Sequence, residues 1–294
     1  MLLLMTLSTG CSIKKFAINK LGDSLAASGT TFASDDDVDL VGQAVPFSLK
    51  LIESLLAESP NHQGLLLAAA SGFTQYAYAY VHQDADFAES QDLQRAEMLR
   101  LRARRLYLRA RGYGLRGLDG RYPSFSELLR RDPKAAVRPV RGRDVALLYW
   151  TAAAWGSAIS VSKDNPELIA DQPIVEALID RAYELDRDFG DGAIDGFLIS
   201  YEPARQGATG DPAARARTHF DRAVALTKGT LASPFVSLAE AVSVPSQDRA
   251  GFDSLLKRAL AVDVDRRPEF RLQNLIAQRR ARWLIEREDD LFIK

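Results

Sequence analysis

Apolar residues in this chain recur every three or four positions, and no stretch alternates apolar and polar residues with the period of two that a strand on a core requires. The pattern predicts an all-α protein. Asp35-Asp36-Asp37 offers a cap and acidic residues for the dipole of a first helix, about Val38 to Glu58, with Pro46 inside it as a source of bending. Ser59-Pro60-Asn61 reads as a turn, and a second helix, rich in Ala, Leu and Tyr, runs from about His62 to His82. A third, from about Ala88 to Leu118, is strongly basic. Its Leu99, Ala103, Leu106, Ala110 and Tyr113 form one apolar stripe, with Arg102, Arg109 and Arg116 along its solvent edge.

Residues 119–142 are irregular, broken by Gly120, Pro123, Pro133 and Pro139 around one short helix at Phe125–Arg131. From Asp144 to Ser162 the chain carries almost no charge. A helix that is apolar on every side has to be enclosed on every side or line a cavity, so this segment is the expected centre of the molecule. Downstream a short phrase recurs where one helix should end: Asp180-Arg181-Ala182-Tyr183, Asp221-Arg222-Ala223-Val224, Lys257-Arg258-Ala259-Leu260. Its arginines are 41 and 36 residues apart, a spacing suited to helical hairpins that bury their apolar faces only by stacking on neighbours. Turns are expected at Asp188–Gly192, Gly229–Pro234 and Asp263–Pro268, with a last helix from Pro268 to about Glu288.

The total of 38 basic and 39 acidic residues gives no reason to expect a nucleic-acid partner, but the charge is unevenly placed. Residues 21–94 hold eleven acids and one base, Lys50, whereas residues 95–143 hold fifteen bases and four acids. Two readings are open: neighbouring helices that face each other with opposite sign, or acidic and basic faces that meet head to tail between subunits.

Cys11 is the only cysteine, which rules out an intramolecular disulfide. It follows an apolar run, Met1 to Leu7, and then Ser8-Thr9-Gly10, an arrangement similar to the end of a bacterial lipoprotein signal peptide. No Lys or Arg precedes the run, and Leu7 lies one place further from the cysteine than is usual. On this reading residues 1–10 are a signal peptide, residues 11–34 a lipidated cysteine and linker, and residues 35–294 the helical-repeat domain. Ser12 after the cysteine favours an outer-membrane destination. No later stretch is expected to be long and apolar enough to span a bilayer.

Catalytic and metal signatures are missing from the sequence. His62, His82 and His219 are scattered, there is no phosphate-binding glycine loop with a following Lys-Ser or Lys-Thr, and no Gly-x-Ser-x-Gly elbow occurs. Asp191 and Asp195 fall at an expected helix start, where acids serve the dipole; Arg279, Arg280 and Arg282 read as solvated. Neither an enzyme nor a cofactor is expected.

Phe220-Asp221-Arg222-Ala223-Val224-Ala225-Leu226 resembles the second helix of a tetratricopeptide repeat. Three further segments narrow the likeness: Leu148 to Asp164, Leu238-Ala239-Glu240 through Gln247-Asp248-Arg249, and Leu275 to Ala281. Together they resemble the T component of TRAP transporters over about residues 36 to 293. The resemblance implies tetratricopeptide-like hairpins stacked around the buried central helix, in a periplasmic lipoprotein that forms a homotrimer and docks a periplasmic solute-binding protein. It also implies a cavity that passes a small apolar ligand. Tyr76, Tyr80, Tyr149, Trp150, Trp155, Phe197 and Tyr201 are the candidate wall of that cavity, though the same rings suit a solid core. The competing role is an outer-membrane scaffold that assembles envelope proteins and binds no small molecule.

Overall fold

A computed structural model describes Lys20 and residues 29–293, and among these residues every regular element is helical. Cys11, the expected signal peptide and most of the expected linker lie outside the described residues. The end of that linker is helical: α1, Gly29–Ala33, packs against the C-terminal helix.

The first long helix, α2, spans Val38–Glu58 as the pattern predicts; the Asp37 carboxylate accepts a hydrogen bond from the Leu40 amide at 2.8 Å. This 21-residue helix is long and apolar enough to cross a membrane, with a mean hydropathy of 1.3, which corrects the expectation that no stretch beyond Cys11 would be. Val41, Leu49, Ile52, Leu55 and Leu56 bury one face against α3, yet only 28% of its most apolar stretch is covered. Leu40 and Phe47 stand exposed on it.

Helix α3, Gln63–Ala77, ends before the expected His82, but the helical run goes on past it. It passes through a π turn, Tyr78–His82, into α4, Gln83–Ala88. A π turn holds one residue more than an α turn, so the faces after it are rotated relative to those before it. The basic helix, α5, begins at Leu93 rather than Ala88 because Asp92 caps it, accepting from the Arg95 amide at 2.9 Å. Its buried face is narrower than expected and made mostly of small residues: Ala96, Ala103, Ala110, Gly114 and Gly117, with Tyr107 and Leu118 the large side chains enclosed along it. Leu99, Leu106 and Tyr113 flank that face half-buried, and Arg102, Arg109 and Arg116 are exposed as predicted.

Short helices α6, Phe125–Arg131, and α7, Pro133–Val137, fill the irregular segment before α8, Val145–Ser160. Helix α8 is central. Ten of its residues are buried, and it packs against α3, α5, and three helices that follow it in sequence. Gly114 and Gly117 let α5 approach it closely; a methyl on Gly114 would overlap Thr151 Oγ1, and one on Gly117 would come within 2.9 Å of Leu147. A short α9, Pro166–Ile169, leads to α10, Gln172–Leu185, which lies on α8.

The remaining elements are α11, Phe189–Tyr201, α12, Pro212–Thr227, α13, Ser233–Leu238, a second π turn at Ala239–Ser243, α14, Arg249–Leu260, α15, Arg271–Glu286, and α16, Glu288–Leu291. A short 3₁₀ turn, Pro268–Phe270, replaces the first residues expected of the last long helix. Positive φ at Gly190, Asp191 and Gly192 makes a turn within the first residues of α11, and Lys228 and Gly229 set the turn after α12. Each arginine of the recurring phrase reaches the unit before its own. Arg181 donates to the carbonyls of Arg138 and Val140, at 3.2 and 2.9 Å. Arg222 pairs with Asp188 and Asp195, and Arg258 lies over the rings of Phe220 and Phe235. Stacking through the same position of successive units is the physical content of the repeat.

The last long helix returns to the first ones. In α15, Arg271 Nη1 donates to the Ser34 carbonyl at 2.8 Å and Arg279 Nη2 to the Ala79 carbonyl at 2.5 Å. Arg280 bridges Asp86 and Glu240 at 2.8 and 2.7 Å, and Trp283 packs on Phe87 with ring centroids 5.3 Å apart. Arg280 is therefore buried and paired, not solvated as expected, because α4 and the second π turn press carboxylates onto it from both sides.

Candidate functional site

The aromatic residues predicted to wall a cavity fall into separate groups. Tyr76 and Tyr80, on α3 and the first π turn, sit 5.6 Å apart; Arg102 approaches the Tyr76 hydroxyl at 3.4 Å, and the Tyr80 ring covers Gly42 of α2. Tyr149 and Trp150 of α8 meet edge to face at 4.9 Å, and Phe189 joins them at 5.4 Å from Tyr149. Phe197 and Tyr201 of α11 stack at 5.2 Å, with Phe197 resting on Gly156 of α8. Tyr149, Trp155, Phe197 and Tyr201 all belong to, or pack against, the core around α8, whereas Tyr76 packs against the two neighbouring clusters. The structure thus joins three pairs of rings without gathering all seven into one wall.

Burial pushes the Tyr80 and Tyr149 hydroxyls up to about 12. Tyr201 is raised too, by burial and then by the charge of Glu176, whose carboxylate lies 3.5 Å from its hydroxyl. Tyr78 adds a different observation. Nearly half of its surface, 47%, is accessible, yet burial raises its hydroxyl pKa, with the charge of Glu240 reinforcing and that of Arg280 opposing. Nearby, burial lowers the pKa of His82, whose Nδ1 lies 3.2 Å from the Tyr107 hydroxyl.

Trp155 stands apart from the other rings, on a cleft of about 460 Å³ between α5, α8 and α9. Its Nε1 donates to Asp171 Oδ2 at 3.0 Å, and the Arg111 guanidinium lies 4.5 Å over its ring. Arg104 and Arg130 line the same cleft and have no carboxylate within ion-pairing distance among the described residues. Arg111 reaches Asp171 only at 3.9 Å; burial lowers its pKa, an effect Asp171 opposes and Arg130 adds to.

Ionic clusters escape the sequence pattern. Asp195 is not an exposed dipole acid: it is fully buried, held by His219 Nδ1 at 2.7 Å and Arg222 Nε at 3.2 Å. Asp191 is drawn instead toward Arg267, at 3.6 Å. Asp144, also buried, takes Arg121 at 2.5 Å and the Tyr122 hydroxyl at 2.6 Å, tying the irregular segment to the start of α8. Part of the segregated charge is answered within the chain, through Arg100 on Glu89 at 2.9 Å and Arg109 on Glu53 at 3.5 Å. The spacing of Arg222 and His219, three apart on one helix face, was the available signal for the Asp195 cluster. Among the described residues no group of three or more His, Cys, Asp or Glu converges as a metal site would require.

The chain is thus an all-helical protein with its aromatic rings joined in separate pairs and an arginine-lined cleft beside Trp155. A family model described as TRAP transporter T-component matches residues 34–292, and the chain belongs to that family. It is also similar to a protein of Treponema pallidum (strain Nichols) described as uncharacterized, 30% identical over 305 aligned positions that cover 98% of this chain and 94% of that one. Membership gives the protein an accessory role in a TRAP transport system, at the membrane or in the periplasm; the family is a transporter component and not a known enzyme family.

Proposed function

We propose that this protein is a non-enzymatic, lipid-anchored periplasmic subunit that docks the solute-binding protein of a TRAP-type uptake system and binds or passes a small apolar organic acid. Family membership supplies the transport system. The observation that carries the ligand half is the ring of Tyr78, 47% exposed in a helix run that also holds the paired rings of Tyr76 and Tyr80. Rings with hydroxyl tips suit a ligand with an apolar body and few polar atoms.

Assembly as a homotrimer, with tetratricopeptide-like hairpins as its building unit, belongs to the same reading. Its support is the uncovered apolar side of α2: Phe47 keeps 74% of its surface exposed and Leu40 55%. A second copy of the chain is the occupant proposed for that face, since like apolar faces related by rotation bury each other without requiring opposite charge. The anchor is Cys11, and the destination proposed is the outer membrane.

Native mass spectrometry of the full chain, purified with a tagged solute-binding protein of the same uptake system, tests this. A trimer that retains the partner or a small apolar adduct is the expected result, with Phe47→Asp reducing it to monomer at unchanged helicity. A ligand-free monomer indifferent to that partner would overturn the reading and leave the scaffold role.

A further inference from the structure

The cleft beside Trp155 contains no member of the other aromatic groups, and its chemistry differs from theirs. Its floor is apolar: Trp155 is 3% exposed and Leu168 9%, with Leu108 half-buried beside them. Its rim is cationic, from Arg104 and Arg111 of α5 and Arg130 of α6. Residues seven apart on one helix share a face, which is why Arg104 and Arg111 converge; Arg130 arrives from the short helix across the cleft.

These arginines are poorly satisfied by the chain itself. Arg104 and Arg130 lack a carboxylate partner among the described residues, and the buried Nε of Arg111 has no hydrogen-bond acceptor. A buried guanidinium nitrogen left without an acceptor is costly unless something supplies one. Against the three cations stand Glu167, exposed at the rim, and Asp171, already committed to the Trp155 indole. The lining therefore carries one net positive charge. That balance suits a monoanion and disfavours a phosphate dianion, which Glu167 and Asp171 would repel.

We propose that this cleft is a second small-molecule site, binding a monocarboxylate whose apolar or aromatic body lies on Leu108 and Leu168 beside the edge of Trp155 while Arg104, Arg111 and Arg130 hold its carboxylate. Guanidinium forks match carboxylate geometry and form hydrogen bonds stronger than neutral ones. The inference rests on the reading above that the protein handles organic acids, and gives the acid group a location distinct from the tyrosines of α3 and the first π turn.

The test is ¹⁹F NMR of the full chain labelled with 5-fluorotryptophan. It reports on three residues only, Trp150, Trp155 and Trp283, each assigned by its Phe variant. Benzoate is the probe. A saturable shift of the Trp155 resonance is expected, absent with neutral benzyl alcohol, and weakened about tenfold or more in Arg104→Gln/Arg130→Gln. Unmoved Trp150 and Trp283 resonances in that variant show that it folds. No saturable shift up to about 10 mM benzoate, an equal affinity in the double variant, or a response to inorganic phosphate as strong as to benzoate would each overturn the proposal. Retention of the solute-binding protein, measured on the same samples, separates failure of this site from failure of the docking role.

Discussion

Arg280→Ala is predicted to be among the most damaging single substitutions in the chain. Its side chain, 12% exposed, holds Asp86 at 2.8 Å and Glu240 at 2.7 Å and lies 4.3 Å over the Trp283 ring. Burial alone would lower its pKa; the charge and hydrogen bond of Glu240, then Asp86, outweigh that and raise it. Truncation leaves Glu240 without a counter-ion and Asp86 with only Arg100, at 3.6 Å. Removing one partner of a buried ion pair costs about 3–5 kcal/mol. Here Asp86 and Glu240 retain 20% and 30% exposure, so water repays part of the loss and about 2–4 kcal/mol is the better figure. Thermal unfolding followed by circular dichroism at neutral pH should then show a midpoint lower by about 4–8 °C for a chain of this size. Arg131→Ala, which breaks an exposed pair with Glu127, is the control and should move it by less than about 1 °C. Asp86→Asn/Glu240→Gln in the Arg280→Ala background should recover much of the loss. An Arg280→Ala midpoint indistinguishable from the control would refute the claim that this bridge holds the molecule together.

Other consequences can be checked separately. His82 has a folded pKa below its ordinary 6.5, because burial disfavours the cation. The unfolded chain therefore binds a proton that the folded one refuses as pH falls below about 6.5, so stability present above that value should decline toward the folded pKa. His82→Gln should flatten this part of the midpoint-versus-pH curve; an unchanged slope would point to another group. Gly114→Ala should cost about 2–3 kcal/mol in urea unfolding, since its methyl meets Thr151 on α8. Adding Thr151→Ala should restore part of it, and strict additivity in that cycle would argue against the contact. Cys11→Ala should move the protein from the membrane to the soluble fraction, and persistence at the membrane would count against lipidation there.

Local chemistry was legible in the sequence. The short helix Phe125–Arg131 and the long Val38–Glu58 begin and end where capping and apolar spacing put them, and the charge-free run after Asp144 does form the enclosed α8. Three kinds of feature were not legible. The π turns at Tyr78–His82 and Ala239–Ser243 each add a single residue to an otherwise continuous helical run, and no residue type marks where that residue falls. Asp92 caps α5 with a single side-chain bond that competes with a strong helix pattern on both sides. The pairing of Arg280 with Asp86 joins residues almost two hundred positions apart, and only the path of the intervening helices decides it. For the candidate site, residue type was informative and grouping was not: Trp155 was named as one wall of a shared aromatic cavity and lies instead at a separate cleft, and Arg104, Arg111 and Arg130, which complete that cleft, were not named at all.

The return of α15 onto α3 and α4 changes how such a molecule can form and come apart. An open array of repeats behaves as a one-dimensional chain of neighbours, able to fold from one end and fray from the other. Here Arg279 and Arg280 reach back to Ala79 and Asp86, so the first hairpins have a surface that only the end of the polypeptide can cover. Folding of the N-terminal units stays incomplete until the last helix has emerged, and contacts of that sequence separation slow the rate-limiting step. Once the clasp closes, neither end is free to unzip, and loss of structure becomes a single event in place of a progression along the array.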